Sequence, residues 1–139
     1  MFGQDRDGLR RAYVQAWQRH RDSLPLDAQQ QRIADVLTLH PEYQVFVLAP
    51  DALTQEFDGS DGRTNPFLHM GLHIVIHEQL ATGLPPEAAQ AHTRLARRLG
   101  EAHAAEHRLI DCLAQLLWQA QRDGRAPDMD GYREALRRL

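Results

Sequence analysis

The chain has 139 residues, a formal net charge of −3 and 42% hydrophobic residues, which suits one folded domain with one core. The ordinary apolar content gives no reason to expect a disordered or fibrous chain, and the weak negative charge indicates neither a nucleic-acid partner nor an acidic tail. All sixteen basic residues are arginine, but they are scattered along the chain and do not change this expectation.

The sequence also carries signals of compartment. Cys112 is the only cysteine, which rules out a disulfide within the chain and fits a reducing cytosol. The first eleven residues are charged and lack an apolar signal core, and no apolar run approaches the roughly 20 residues that span a bilayer. We therefore expect a cytoplasmic protein without membrane or nucleic-acid partners. A homo-oligomer, a protein partner and the identity of a small-molecule substrate are left open.

In the first half of the chain, apolar residues recur with the period of a helix. The predicted helices cover residues 7–21, 28–39, 41–48 and 49–57. Asp27 is a suitable N-cap for the second of them, and Pro41 should end that helix and begin the third. Residues 58–64 are rich in Gly, Asp and Ser and predict a loop.

The second half continues the helical pattern after this loop. The predicted helices cover residues 65–82, 87–123 and 128–139. Asn65 and Pro66 suit the start of the first, and Gly100 is a weak point within the second. No stretch of useful length alternates like a sheet. The sequence therefore predicts an all-α fold, a single-domain antiparallel helical bundle over residues 1–139 with short accessory helices.

The helix predicted over residues 65–82 is apolar almost all the way round but carries three histidines at four-residue steps. A helix of this kind is normally buried, and buried polar groups must be hydrogen-bonded, paired or bound to a ligand. His69 and His73 lie about 40° apart around the helix and share one face. His77 lies about 80° from His69, which favours a peripheral role, and Glu78 lies roughly opposite.

A later helix carries His103, Glu106 and His107 in or beside its apolar stripe. Two histidines four residues apart can bind one metal ion together, and imidazole suits Zn, Fe, Ni and Cu, of which we expect Zn or Fe. The predicted metal ligands are His69, His73, His103 and His107, with Glu106 as a further ligand, a hydrogen-bond acceptor for an imidazole or a general base. Four bound histidines would close the site, whereas three would leave a position for water and catalysis. The sequence assigns no reaction.

A second interpretation needs no metal. The same histidines and glutamates would form a buried hydrogen-bond network in a non-enzymatic structural or interaction module, and the apolar stretch 43–48 would pack in the core or meet a partner. Residues 103–107 also match the H-x-x-E-H pattern of inverted zinc proteases, but those enzymes are much larger. His20 and His40 are expected at the surface or at helix ends, without a function, and Cys112 as a small core residue.

Several segments carry a resemblance to a known family. The most specific is N-P-F-L-H-x-x-x-H over residues 65–73, and further matches lie at 40–43, 94–100, 102–107 and 118–124. The chain resembles a bacterial family catalogued as domain of unknown function 1841. The resemblance implies a small helical single-domain protein and no established activity. The matching motif positions are Asn65, Pro66, His69, His73, Glu78, Gln79, His103, Glu106 and His107.

Overall fold

A computed structural model describes residues 6–54 and 65–139, and these residues form seven α-helices and no strand. The helices are α1 Arg6–Arg21, α2 Ala28–Leu39, α3 Pro41–Leu48, α4 Pro66–Thr82, α5 Pro86–Leu99, α6 Ala102–Asp123 and α7 Met129–Arg137. The predicted all-α class is confirmed. Across the described residues, no helix combines the length and the hydropathy of a bilayer-spanning segment.

Both predicted N-caps are confirmed. The Asp27 carboxylate accepts a hydrogen bond from the backbone N–H of Gln30 at 2.7 Å, and the Gln30 side chain accepts one from the Asp27 N–H at 3.0 Å. This reciprocal pair is a capping box. Asn65 Oδ1 accepts hydrogen bonds from the backbone N–H groups of Phe67 at 3.0 Å and Leu68 at 3.3 Å. These bonds satisfy donors that the first turn of α4 would leave without partners.

The single helix predicted over residues 87–123 is wrong at its middle. Gly100 ends α5 in the left-handed conformation, with φ of 76°, and its N–H donates to Ala96 O. Glu101 is extended, and α6 begins at Ala102. The left-handed conformation costs little free energy at glycine, because glycine has no Cβ. The helix therefore ends completely at the position where the sequence indicated only a weak point.

The helix predicted over residues 49–57 is also wrong where the structure describes it. Residues 49–54 form turns, with hydrogen bonds from Ala52 N to Ala49 O and from Thr54 N to Asp51 O. Ala49 is extended, as the residue before a proline prefers. A helix this short gains few hydrogen bonds to offset the cost of its first turn. Residues 55–57 and the predicted loop at 58–64 lie outside the described part of the chain.

Contacts divide the chain into two compact units, Met1–Ile74 and Val75–Leu139, and the boundary falls within α4. In the first unit, α1 packs against α2 and α3, and α2 packs against α3. Its core contains Tyr13, Trp17, Ile33, Val36, Leu37, Val47, Phe67, Met70 and Ile74. The interpretation of the whole chain as one domain stays a prediction.

In the second unit, α5, α6 and α7 pack against one another. Its buried apolar side chains include Ala88, Ala91, Leu95, Leu109, Leu113, Tyr132 and Leu136. Polar contacts hold α7 in place. The buried Glu87 carboxylate accepts hydrogen bonds from Arg133 at 2.9 Å and Arg137 at 3.0 Å. The hydrogen bond from Arg133, more than any other contact, lowers the pKa of Glu87 to about 2.

Candidate functional site

In the first unit, α4 brings two of the predicted ligands, His69 and His73, together. His73 is fully buried and His69 half-buried, and their Nε2 atoms lie 3.1 Å apart. Residues four apart in a helix are neighbours on its surface, so the helix itself sets this contact. The predicted pairing of His69 with His73 on one face is confirmed.

His40 lies at the end of α2, as predicted, but it is buried rather than at the surface, with only 2% of its area exposed. Its ring Nδ1 lies 2.7 Å from the backbone carbonyl oxygen of Val36. A carbonyl only accepts hydrogen bonds, so Nδ1 carries the proton and, in the neutral ring, Nε2 carries the lone pair. The backbone N–H of His40 donates to Leu37 O and not to Val36 O. The Val36 carbonyl is therefore available to accept from the His40 ring.

His40 also contacts the histidine pair of α4. Its ring centroid lies 4.2 Å from that of His73, and each ring offers a nitrogen within 4.8 Å of the other. The Tyr43 ring stacks on the His40 ring, with centroids 5.1 Å apart, and its centroid lies 5.7 Å from that of the His69 ring. Burial, with a smaller contribution from Glu42, raises the pKa of Tyr43 to about 12. The first unit therefore groups three imidazoles with a phenol that stays protonated at neutral pH.

In the second unit, Glu106 pairs with His77. The His77 Nε2 lies 2.9 Å from Glu106 Oε1, and Glu106 is buried. A carboxylate that accepts from one ring nitrogen fixes the orientation of a histidine and raises its basicity as a metal ligand. The expected burial of Glu106 in its helix is confirmed, but the sequence did not identify His77 as its partner.

His103 and His107 form the second predicted pair, on α6. Both are half-buried, and their ring centroids lie 4.5 Å apart with the planes nearly perpendicular. A metal ion needs several donor atoms close together. Among the described residues, no group of three or more donor atoms within 4.8 Å of one another includes His69 or His103. That the two histidine pairs share one ion stays a prediction.

Sequence reasoning missed two members of these clusters, His40 and His77. The sequence did contain a signal for His40, because it directly precedes Pro41. A helix tends to end before a proline, and the side chain at that end can contact the preceding turn. His77 continues the four-residue steps of α4, but its angle from His69 suggested a separate role. The described clusters thus combine imidazole nitrogens with one buried carboxylate, which are donor types that Zn and Fe accept.

A family model described as a domain of unknown function (DUF1841) matches residues 5–138. The chain therefore belongs to this family, as the resemblance of its motifs predicted. No curated protein and no solved structure matches the chain.

Proposed function

We propose that this protein is a single-domain cytoplasmic protein that binds one transition-metal ion, Zn or Fe, through the histidines of α4 and α6. The ligand set expected from the sequence is His69, His73, His103 and His107, with Glu106. We add His40 and His77 as candidate ligands, because the first contacts His73 and the second contacts Glu106.

The observation that carries the proposal is the orientation of His40. Its Nδ1 donates to a backbone carbonyl, the arrangement that histidines bound to a metal commonly use to fix their tautomer. The nitrogen left to bind a metal is Nε2, on a ring packed against His73. A buried imidazole held in this way can bind a cation without a change of tautomer.

The spacing of His69 and His73 supports the same proposal. Two nitrogens bound to a tetrahedral Zn ion at about 2.0–2.1 Å lie roughly 3.3 Å apart, and the two Nε2 atoms lie 3.1 Å apart. Only a small movement would let both bind one ion. Glu106, held against His77, would act as a ligand or as the acceptor that orients the His77 ring.

Metal analysis of untagged protein tests this proposal. We expect about one Zn or Fe per chain, bound by the neutral imidazoles, and a loss of most of this metal in His40→Ala and His73→Ala. His92→Ala is the matched control, because His92 lies on α5 outside the described clusters. Wild-type protein that holds no metal and takes up neither Zn nor Fe(II) would overturn the proposal.

A structural or interaction module is the second candidate function. The contacts of His69 with His73 and of His77 with Glu106 also have hydrogen-bond lengths, so they can satisfy buried polar groups without a metal. On α3, Val47 is buried, whereas 69% of Val45 is exposed, which gives this apolar helix an outer face for a partner. This candidate predicts that chelator and added Zn leave the thermal midpoint unchanged.

A further inference from the structure

The second unit contains a cavity that none of the histidine clusters uses. It lies between α6 and α7 and has a volume of about 300 Å³. Leu116 and Tyr132 form a buried apolar floor, with the half-buried Cys112 and Ala135 beside them. This volume is at the lower end of the range for small-molecule sites, about 300–1,000 Å³.

The rim of the cavity carries charges of both signs. Arg108 and Asp111 lie one turn apart on α6 and are exposed. In the part of the chain that the structure describes, neither side chain forms a hydrogen bond or ion pair. Asp128 contributes a second carboxylate from the start of α7, where its Oδ1 accepts from the Gly131 N–H at 3.0 Å. Donor and acceptor groups thus surround an apolar floor, as in many small-ligand sites.

We propose that this cavity binds a small zwitterion with an apolar side chain, that is, an α-amino acid of the leucine or phenylalanine type. Arg108 binds the ligand carboxylate, since a guanidinium pairs with a carboxylate through two parallel hydrogen bonds. Asp111 and Asp128 bind the ammonium group. The ligand side chain covers Leu116 and the Tyr132 ring, where it leaves water for an apolar surface.

The charges on the rim favour an amino acid over other classes of small ligand. A simple hydrocarbon would leave three rim charges without a role, and a fatty acid or an alkyl amine would complement only one sign. A nucleotide would bring several negative charges towards two carboxylates, and such like-charge contacts are unfavourable. A free amino acid carries one charge of each sign close together, as do Arg108 and Asp111 on α6.

Cys112 provides a direct assay for occupancy, because it lines the cavity and is the only cysteine in the chain. Burial and Asp111 raise the pKa of its thiol, so alkylation by iodoacetamide should be followed near pH 8.5, where more thiolate is present. The alkylation rate should fall about fivefold when roughly four fifths of the cavity is filled by L-leucine or L-phenylalanine, since only the empty cavity reacts. N-acetyl-L-leucine and L-leucinamide, which each lack one charge, should protect far less.

Variants separate a specific site from general adsorption. Arg108→Gln and Asp111→Asn should each remove protection by L-leucine, compared as the ratio of rates with and without the amino acid. Asp123→Asn, an exposed position near the end of α6, should retain protection. Three results would each overturn the proposal: no protection at roughly 10 mM amino acid, equal protection by the blocked analogues, or full protection in both rim variants. Chemical shifts of the Leu116 and Ala135 methyl groups supply a second readout that does not depend on thiol chemistry.

Discussion

The Nε2 atom of His77 lies 2.9 Å from Oε1 of Glu106, and this contact joins α4 to α6 within the second unit. Glu106→Ala would leave the His77 ring without its carboxylate acceptor. We expect the free energy of unfolding to fall by about 1–3 kcal/mol, the usual cost of removing one partner from a buried hydrogen bond. Urea denaturation measures this loss, and Glu106→Gln, which keeps an acceptor oxygen, should lose less.

The matched control for this prediction is Glu101→Ala. Glu101 precedes α6, is exposed and makes no side-chain cap, so its removal should change the free energy of unfolding by less than about 0.5 kcal/mol. Equal losses in Glu101→Ala and Glu106→Ala would show that the contact with His77 adds nothing to stability.

Glu87 predicts a pH dependence of stability at low pH. Its pKa falls from 4.5 to about 2 in the folded chain, chiefly because Arg133 donates hydrogen bonds to it. Between these pH values the unfolded chain binds more protons, so stability rises with pH. The contribution is fully present above pH 4.5 and is lost as pH falls towards 2. Urea midpoints measured across this window should rise less steeply for Glu87→Gln than for wild type, and an unchanged slope would contradict the role of Glu87.

Metal binding predicts a stability that depends on metal concentration. If Zn binds only the folded chain, Zn at about 100 times its dissociation constant adds roughly 2.7 kcal/mol to the free energy of unfolding. We expect the thermal midpoint of wild-type protein and of His92→Ala to rise with added Zn and to fall back with EDTA. His40→Ala should show little or no rise. A rise of the same size in His40→Ala would remove His40 from the ligand set.

Gly100 predicts a backbone effect between α5 and α6. Its φ of 76° lies in the left-handed region, where a Cβ costs about 1–2 kcal/mol. No neighbouring atom lies within 4 Å of a Cβ built there, so Gly100→Ala should lose only this backbone energy. Gly100→Asn should lose less, because asparagine tolerates this conformation. Thermal or urea denaturation of the two variants checks the order.

Local signals predicted the helices well where a residue's own chemistry sets the boundary. Asp27 and Asn65 cap their helices because their side-chain oxygens reach backbone donors two or three residues ahead. The break at Gly100 was underestimated, because helix periodicity continues through it and only the backbone angle ends α5. The short helix predicted after Ala49 was wrong because so short a helix gains few hydrogen bonds to offset the cost of its first turn.

The candidate site was predictable only in part. Spacing along one helix determines which of its residues are neighbours, so the contact between His69 and His73 follows from the sequence. The partners of Glu106 and His73 come from other segments of the chain: His77 from α4 and His40 from the turn between α2 and α3. The angular position of a residue on its own helix does not determine which residue of another segment contacts it.

Arg94 on α5 bears on the direction in which α7 runs. Its Nη2 donates to the carbonyl oxygens of Leu136 at 3.0 Å and Arg137 at 3.4 Å, at the end of α7. The carboxyl end of a helix carries a partial negative charge and the amino end a positive one. If α7 packed in the reverse direction, it would present its positive end to a guanidinium. Arg94 therefore helps to determine which way α7 runs across α5.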